Sequence, residues 1–117
     1  MTDGVLMYEM FPDTQPPTRA AQIREVFDYW VERCTAKGRT PILGNKRRSK
    51  INARLEEGYT TSDLKQAVEG ALLSPWHTGD NPEGKKYLDI VTIFRDDAQV
   101  EKFIELADSS TTEDDEW

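Results

Sequence analysis

The sequence predicts an all-α protein, a small bundle of four to five short helices with disordered or loosely docked tails at both ends. Three observations carry that expectation. Apolar residues recur at helical spacing in successive segments. Capping signals precede two of these segments, and Gly38, Gly58 and Pro75 follow the ends of three. The one β-prone stretch, Ile90 to Ile93, has no second strand to pair with.

At 117 residues the chain is long enough for one modest core and too short for two. The expected organisation is an N-terminal tail over 1–17, a helical domain over 18–107 and an acidic tail over 108–117. The tail at the start holds an apolar patch, Val5, Leu6, Met7, Tyr8, Met10 and Phe11, and then a proline-rich linker. The patch reads either as docking on its own domain or as a contact for a partner.

The clearest helix follows Thr18. Ile23, Val26, Phe27, Trp30, Val31 and Cys34 share one stripe, and Gly38 can terminate it. Cys34 therefore reads as a small core residue. The second helix covers the stretch from Asn45 to Gly58, with the glycine as its stop. With Arg47 set to zero and about 100° per residue, Lys46, Lys50 and Arg54 fall near 260°, 300° and 340°, while Ile51 and Leu55 fall near 40° and 80°. Those four cations are expected to form a face off the apolar stripe, so that reversing all four charges leaves the helix intact. Arg48, near 100°, is expected on the apolar side, snorkelling or paired with a carboxylate.

Thr60 and Asp63 stand in capping-box relation ahead of the stripe Leu64, Ala67, Val68, Ala71 and Leu72. Pro75 ends that helix, and an irregular loop rich in Gly, Asn, Asp and Pro follows. Tyr87, Ile90, Val91 and Phe94 then keep helical spacing, which predicts a short helix over YLDIVTIF. Asp96 and Gln99 mark the start of a last helix with Val100, Phe103, Ile104 and Ala107 on one face.

The formal net charge is -7, yet it is unevenly spread. Lys37, Arg39, Lys46, Arg47, Arg48, Lys50 and Arg54 make the segment 37–54 a +7 block without an acid, and the other eight cations with all 22 acids leave the remainder at -14. An ordinary helix surface mixes signs through i, i+4 pairs, so an acid-free block favours polyanion binding over a merely solvated face.

Trp76, His77 and Tyr87 flank a loop that also carries Lys85 and Lys86, a mixture suited to stacking bases while neutralising phosphates. The same residues also read as closure of the core with solvated lysines. His77 and Cys34 are the only His and Cys, so an intramolecular disulfide and a zinc cluster are excluded by count. No catalytic constellation accompanies His77, GDNPEG lacks P-loop spacing, and neither an enzyme nor a cofactor or metal is expected. EDDEW at the end reads first as a solubilising tail, with a peptide ligand or a competitor for the basic face as functional readings. Nothing resembles a signal peptide or approaches the ~18 apolar residues of a membrane span, and a single cysteine fits a reducing cytoplasm.

The order of the segments carries a resemblance: a YW helix, a basic helix ending in RLEEGYT, then DLKQAVEG, PWHTGDN, GKKY, FRDD and VEKFIEL. From about Val26 to Ala107 the chain resembles the conserved C-terminal domain of phage replisome organizers, a group similar to the DnaD-like primosomal proteins. The resemblance implies an α-helical domain acting in phage DNA replication in the host cytoplasm, binding DNA, single strands above all, and helping to recruit or load a replicative helicase. Members of that group commonly carry an N-terminal winged-helix domain, which the residues before Thr18 are too few to form, so sequence-specific origin binding is not expected. The expected DNA contacts are Lys46, Arg47, Lys50 and Arg54, extended by Lys37, Arg39, Lys85 and Lys86, with Trp76 or Tyr87 stacking bases. The competing expectation is an adaptor or inhibitor that grips a host or phage replication protein without DNA.

Overall fold

The computed structural model describes residues 17–36, 38 and 40–115, with side chains through Ser109. Among them are five helices and no strand: α1 (Arg19–Cys34), α2 (Asn45–Glu56), α3 (Thr61–Leu72), α4 (Ile90–Ile93) and α5 (Asp97–Asp115). The all-α bundle is as the sequence predicts. The apolar patch before Thr18, Lys37, Arg39 and the last two residues lie outside the described residues.

Local signals start and stop the helices. Thr18 caps α1 through its hydroxyl, which accepts from Ala21 N at 3.1 Å. α2 ends in a Schellman turn: Gly58 takes a φ of 113°, which only glycine adopts without strain, Gly58 N donates to Leu55 O at 3.1 Å, and Tyr59 N donates to Arg54 O at 3.3 Å. Two residues on, Thr60 and Asp63 exchange reciprocal bonds of 3.0 Å and open α3.

α3 is the central element, packed most extensively on α5 and next on α1. Phe27 from α1, Ile51 from α2, Leu64 and Val68 from α3, Ile90 and Ile93 from α4, Phe94 just after it, and Val100 and Phe103 from α5 are buried in one cluster. Each such side chain contributes about 1.5–3 kcal/mol relative to exposure. Val31 and Cys34, expected on the buried stripe, are half-buried against its rim. Burial pushes the Cys34 thiol up to about 11, so it stays protonated at neutral pH.

The stretch YLDIVTIF is helical only over α4. Asp89 is the reason: its carboxylate accepts from Val91 N at 3.0 Å and caps the turn, so the chain before it is extended. Tyr87 thus belongs to the preceding loop despite its helical spacing from Ile90, and its amide donates to His77 O at 2.8 Å. α5 begins where Asp96 accepts from Gln99 N at 2.8 Å, and it continues beyond the boundary expected after Ala107 to Asp115.

Candidate nucleic-acid interface

The basic helix α2 is held between two neighbours. On one side Arg19 Nη1 of α1 donates to Asn52 Oδ1 at 3.0 Å. On the other, three cations of α2 reach α4 and its flanks: Arg47 pairs with Asp89 at 2.9 Å, Lys50 Nζ donates to Arg95 O at 3.2 Å, and Arg54 Nη1 donates to Phe94 O at 3.4 Å.

This clamp divides the predicted cationic face in two. Arg54 is only 8% exposed and also pairs with Glu57 at 3.0 Å, which corrects its expected place off the apolar stripe. The physical cause is that α4 covers the flank of α2 beyond Ile51, widening the buried face past what two aliphatic residues define. Arg47 is likewise built into the fold. Its guanidinium lies 5.1 Å from the centroid of the Trp30 ring and donates to Ile42 O at 2.8 Å as well as to Asp89. Burial alone would raise the Asp89 carboxyl, but the Arg47 guanidinium and the amides of Val91 and Ile90 outweigh it and hold it below its ordinary range.

Lys46 and Arg48 are what α2 leaves exposed. Arg48 is exposed beside Ile23 and makes one bond, to Leu43 O at 3.3 Å, with none of the carboxylate pairing that is the alternative to snorkelling. Among the described residues neither cation has an ion-pair partner, and Lys50 sits half-buried at the edge. Between Lys46 and Arg48 on the helix surface stand Asn45 and Ser49, which the charge count passed over. Their i, i+4 spacing is the signal that could have found them. Three shallow grooves meet along this strip, all lined by Asn45, the largest of about 630 Å³ and bordered by Ile42, Lys46, Arg47 and Val91.

The start of α2 adds to the positive potential. Its N-cap is Gly44, which brings no side-chain acceptor, and its first turn holds no acid. The positive end of the helix dipole is therefore exposed together with Lys46 and Arg48, an arrangement that favours anionic oxygens.

The second predicted cluster is the loop between α3 and α4. Trp76 and Tyr87 stack at 4.9 Å with their planes 17° apart. Asn81 fixes the loop between them: its Nδ2 donates to Trp76 O and Lys85 O at 2.7 Å, and its Oδ1 accepts from Glu83 N and Lys85 N. His77 anchors the loop to α5 by meeting Phe103 edge-on at 4.9 Å, and its Nδ1 bonds the buried Ser74 hydroxyl at 2.7 Å. Burial, and then Lys102 and Arg95, hold the His77 pKa below its ordinary value. Lys85 and Lys86 are exposed and have no carboxylate partner among the described residues.

Among the described residues no group of three or more His, Cys, Asp or Glu is placed to hold a metal ion, and no helix is long and apolar enough to cross a membrane. No protein-family model, curated protein or solved structure matches the chain.

Proposed function

We propose that this protein binds DNA through the N-terminal half of α2, with Lys46 and Arg48 on phosphates, Asn45 and Ser49 donating hydrogen bonds, and Lys50 at the edge. The observation that carries this reading is the start of α2, whose first turn holds no acid of its own and where Lys46 and Arg48 are exposed with no ion-pair partner among the described residues, in a chain of net charge -7. Arg47 and Arg54 act by holding this strip in place. The resemblance to replisome organizers supports phage DNA replication as the process, single strands as the DNA and a replicative helicase as the partner. No chemical step is assigned to the protein.

Titration of a fluorescent single-stranded oligonucleotide tests the reading. Binding at low salt should weaken steeply as salt rises, and the double variant Lys46→Glu/Arg48→Glu should lose it while staying folded by circular dichroism. Salt-indifferent binding, or a folded double variant that binds as tightly as the parent, refutes it.

A second reading is favoured by Ile42, which is 79% exposed at the rim of the largest groove beside Val91. An apolar residue so exposed next to Lys46 fits a protein partner with an acidic, apolar segment. Recovery of a replication protein by the tagged chain after nuclease treatment, and its loss with Ile42→Asp, supports the adaptor; recovery that disappears with nuclease rejects it.

A further inference from the structure

We infer that the loop between α3 and α4 is a base-stacking platform, with the outer face of Trp76 taking an unpaired nucleobase of a single strand. The inference rests on DNA binding by α2 and adds a second, chemically different contact.

Trp76 is 50% exposed although Tyr87 covers one face of its ring in parallel stacking. With Tyr87 stacked on one face and the residue still half exposed, part of the ring surface remains open to solvent. That ring does not close the core. The core-facing role at this place belongs to His77, which is buried and steeply inclined to both neighbouring rings, by 70° to Trp76 and 83° to Phe103.

The platform is also held still. Asn81 ties Trp76 O to Lys85 O, Tyr87 N donates to His77 O, and the Tyr87 hydroxyl donates to Glu83 at 2.6 Å. A ring fixed before binding loses little conformational freedom when a base arrives. Charge is not what this loop offers, because Asp80 and Glu83 balance Lys85 and Lys86. Stacking is sequence-tolerant, since every base presents a π face, and it requires a base that is not already paired. The chain that carries Tyr87 leads to the groove beside the cationic strip, since Asp89 and Lys46 both line it. Tyr87 precedes by two residues the Asp89 that pairs with Arg47, at most about 7 Å along the backbone. One short strand can span both.

The experiment compares two oligomers of equal length and charge, oligothymidylate and its abasic counterpart, titrated against the full chain. The thymidylate should bind about tenfold more tightly. Trp76→Ala should bring the two to equal affinity without changing binding of the abasic strand, and Trp76→Phe should keep part of the preference. If the Ala variant does not fold, the Phe variant against wild type carries the same comparison, a reduced preference being the supporting result. Equal binding of both oligomers by wild type overturns the platform and leaves the α2 interface standing. A preference that survives Trp76→Ala overturns the assignment to Trp76. Binding of neither oligomer overturns the α2 reading and the platform together.

Discussion

Gly70 of α3 lies directly against the backbone of Phe103 in α5. A Cβ at Gly70 would overlap the Phe103 carbonyl and stand 2.9 Å from its Cα. This close approach lets the two most extensively packed helices meet, and the atoms in the way are backbone, which no rotamer change can move. Gly70→Ala, although it raises helix propensity, should therefore destabilise the protein by about 1–3 kcal/mol, measured as a lowered urea midpoint. A midpoint equal to or above that of wild type would contradict the packing.

Arg54 and Lys46 belong to one basic helix and should respond in opposite ways to charge reversal. Arg54→Glu places a second carboxylate beside Glu57 in a buried position and removes the donor to Phe94 O, so it should cost about 3–5 kcal/mol of stability. Lys46→Glu, on an exposed site, should stay within about 0.5 kcal/mol. Thermal unfolding of the two single variants separates them.

Stability should fall on mild acidification because of His77. Its folded pKa is depressed below the ordinary value of 6.5, so between the two values the unfolded chain binds more protons. Its contribution is fully present above about pH 6.5 and is lost as pH drops from there toward the folded value. Asp89, Asp96 and Glu69 are held below ordinary values of 3.8, 3.8 and 4.5, so they add stability above those values and lose it only at lower pH. Urea midpoints at pH 7.5 and 5.5 should differ in wild type and converge in His77→Gln.

The salt dependence of DNA binding should report which cations meet phosphates. For a single strand each phosphate contact contributes about 0.7 to the slope of log affinity against log salt. Lys46→Ala should lower the slope by roughly that amount. Arg54→Met, refolded and titrated under the same conditions, should leave it unchanged, because its guanidinium is turned inward.

Much of the fold is legible because its signals are local. Thr60 with Asp63, Gly58 after Leu55, and the stripe from Ile23 to Trp30 each act within one or two helical turns, so a short window contains both the residue and its effect. Arg54 was not legible in the same way. Its burial depends on Phe94, forty residues on, whose carbonyl receives it. Tyr87 failed differently: its spacing from Ile90 is helical, but a cap at Asp89 overrides periodicity. The charge block is legible as one helix and no further, since composition counts cations without distinguishing those that the fold consumes. Asn45 and Ser49, neutral and unremarked, were invisible to a reading based on charge.

The web around Asn81 gives the loop an exchange behaviour that its surface position would not lead one to expect. The amides of Glu83 and Lys85 both point at one side-chain oxygen, and the carbonyls of Trp76 and Lys85 share its nitrogen. Deuterium therefore enters those two amides only when Asn81 lets go, and a protease drawn to the adjacent Lys85 and Lys86 must wait for the same event. One carboxamide thus sets the opening rate of a basic segment that lies in full view of solvent.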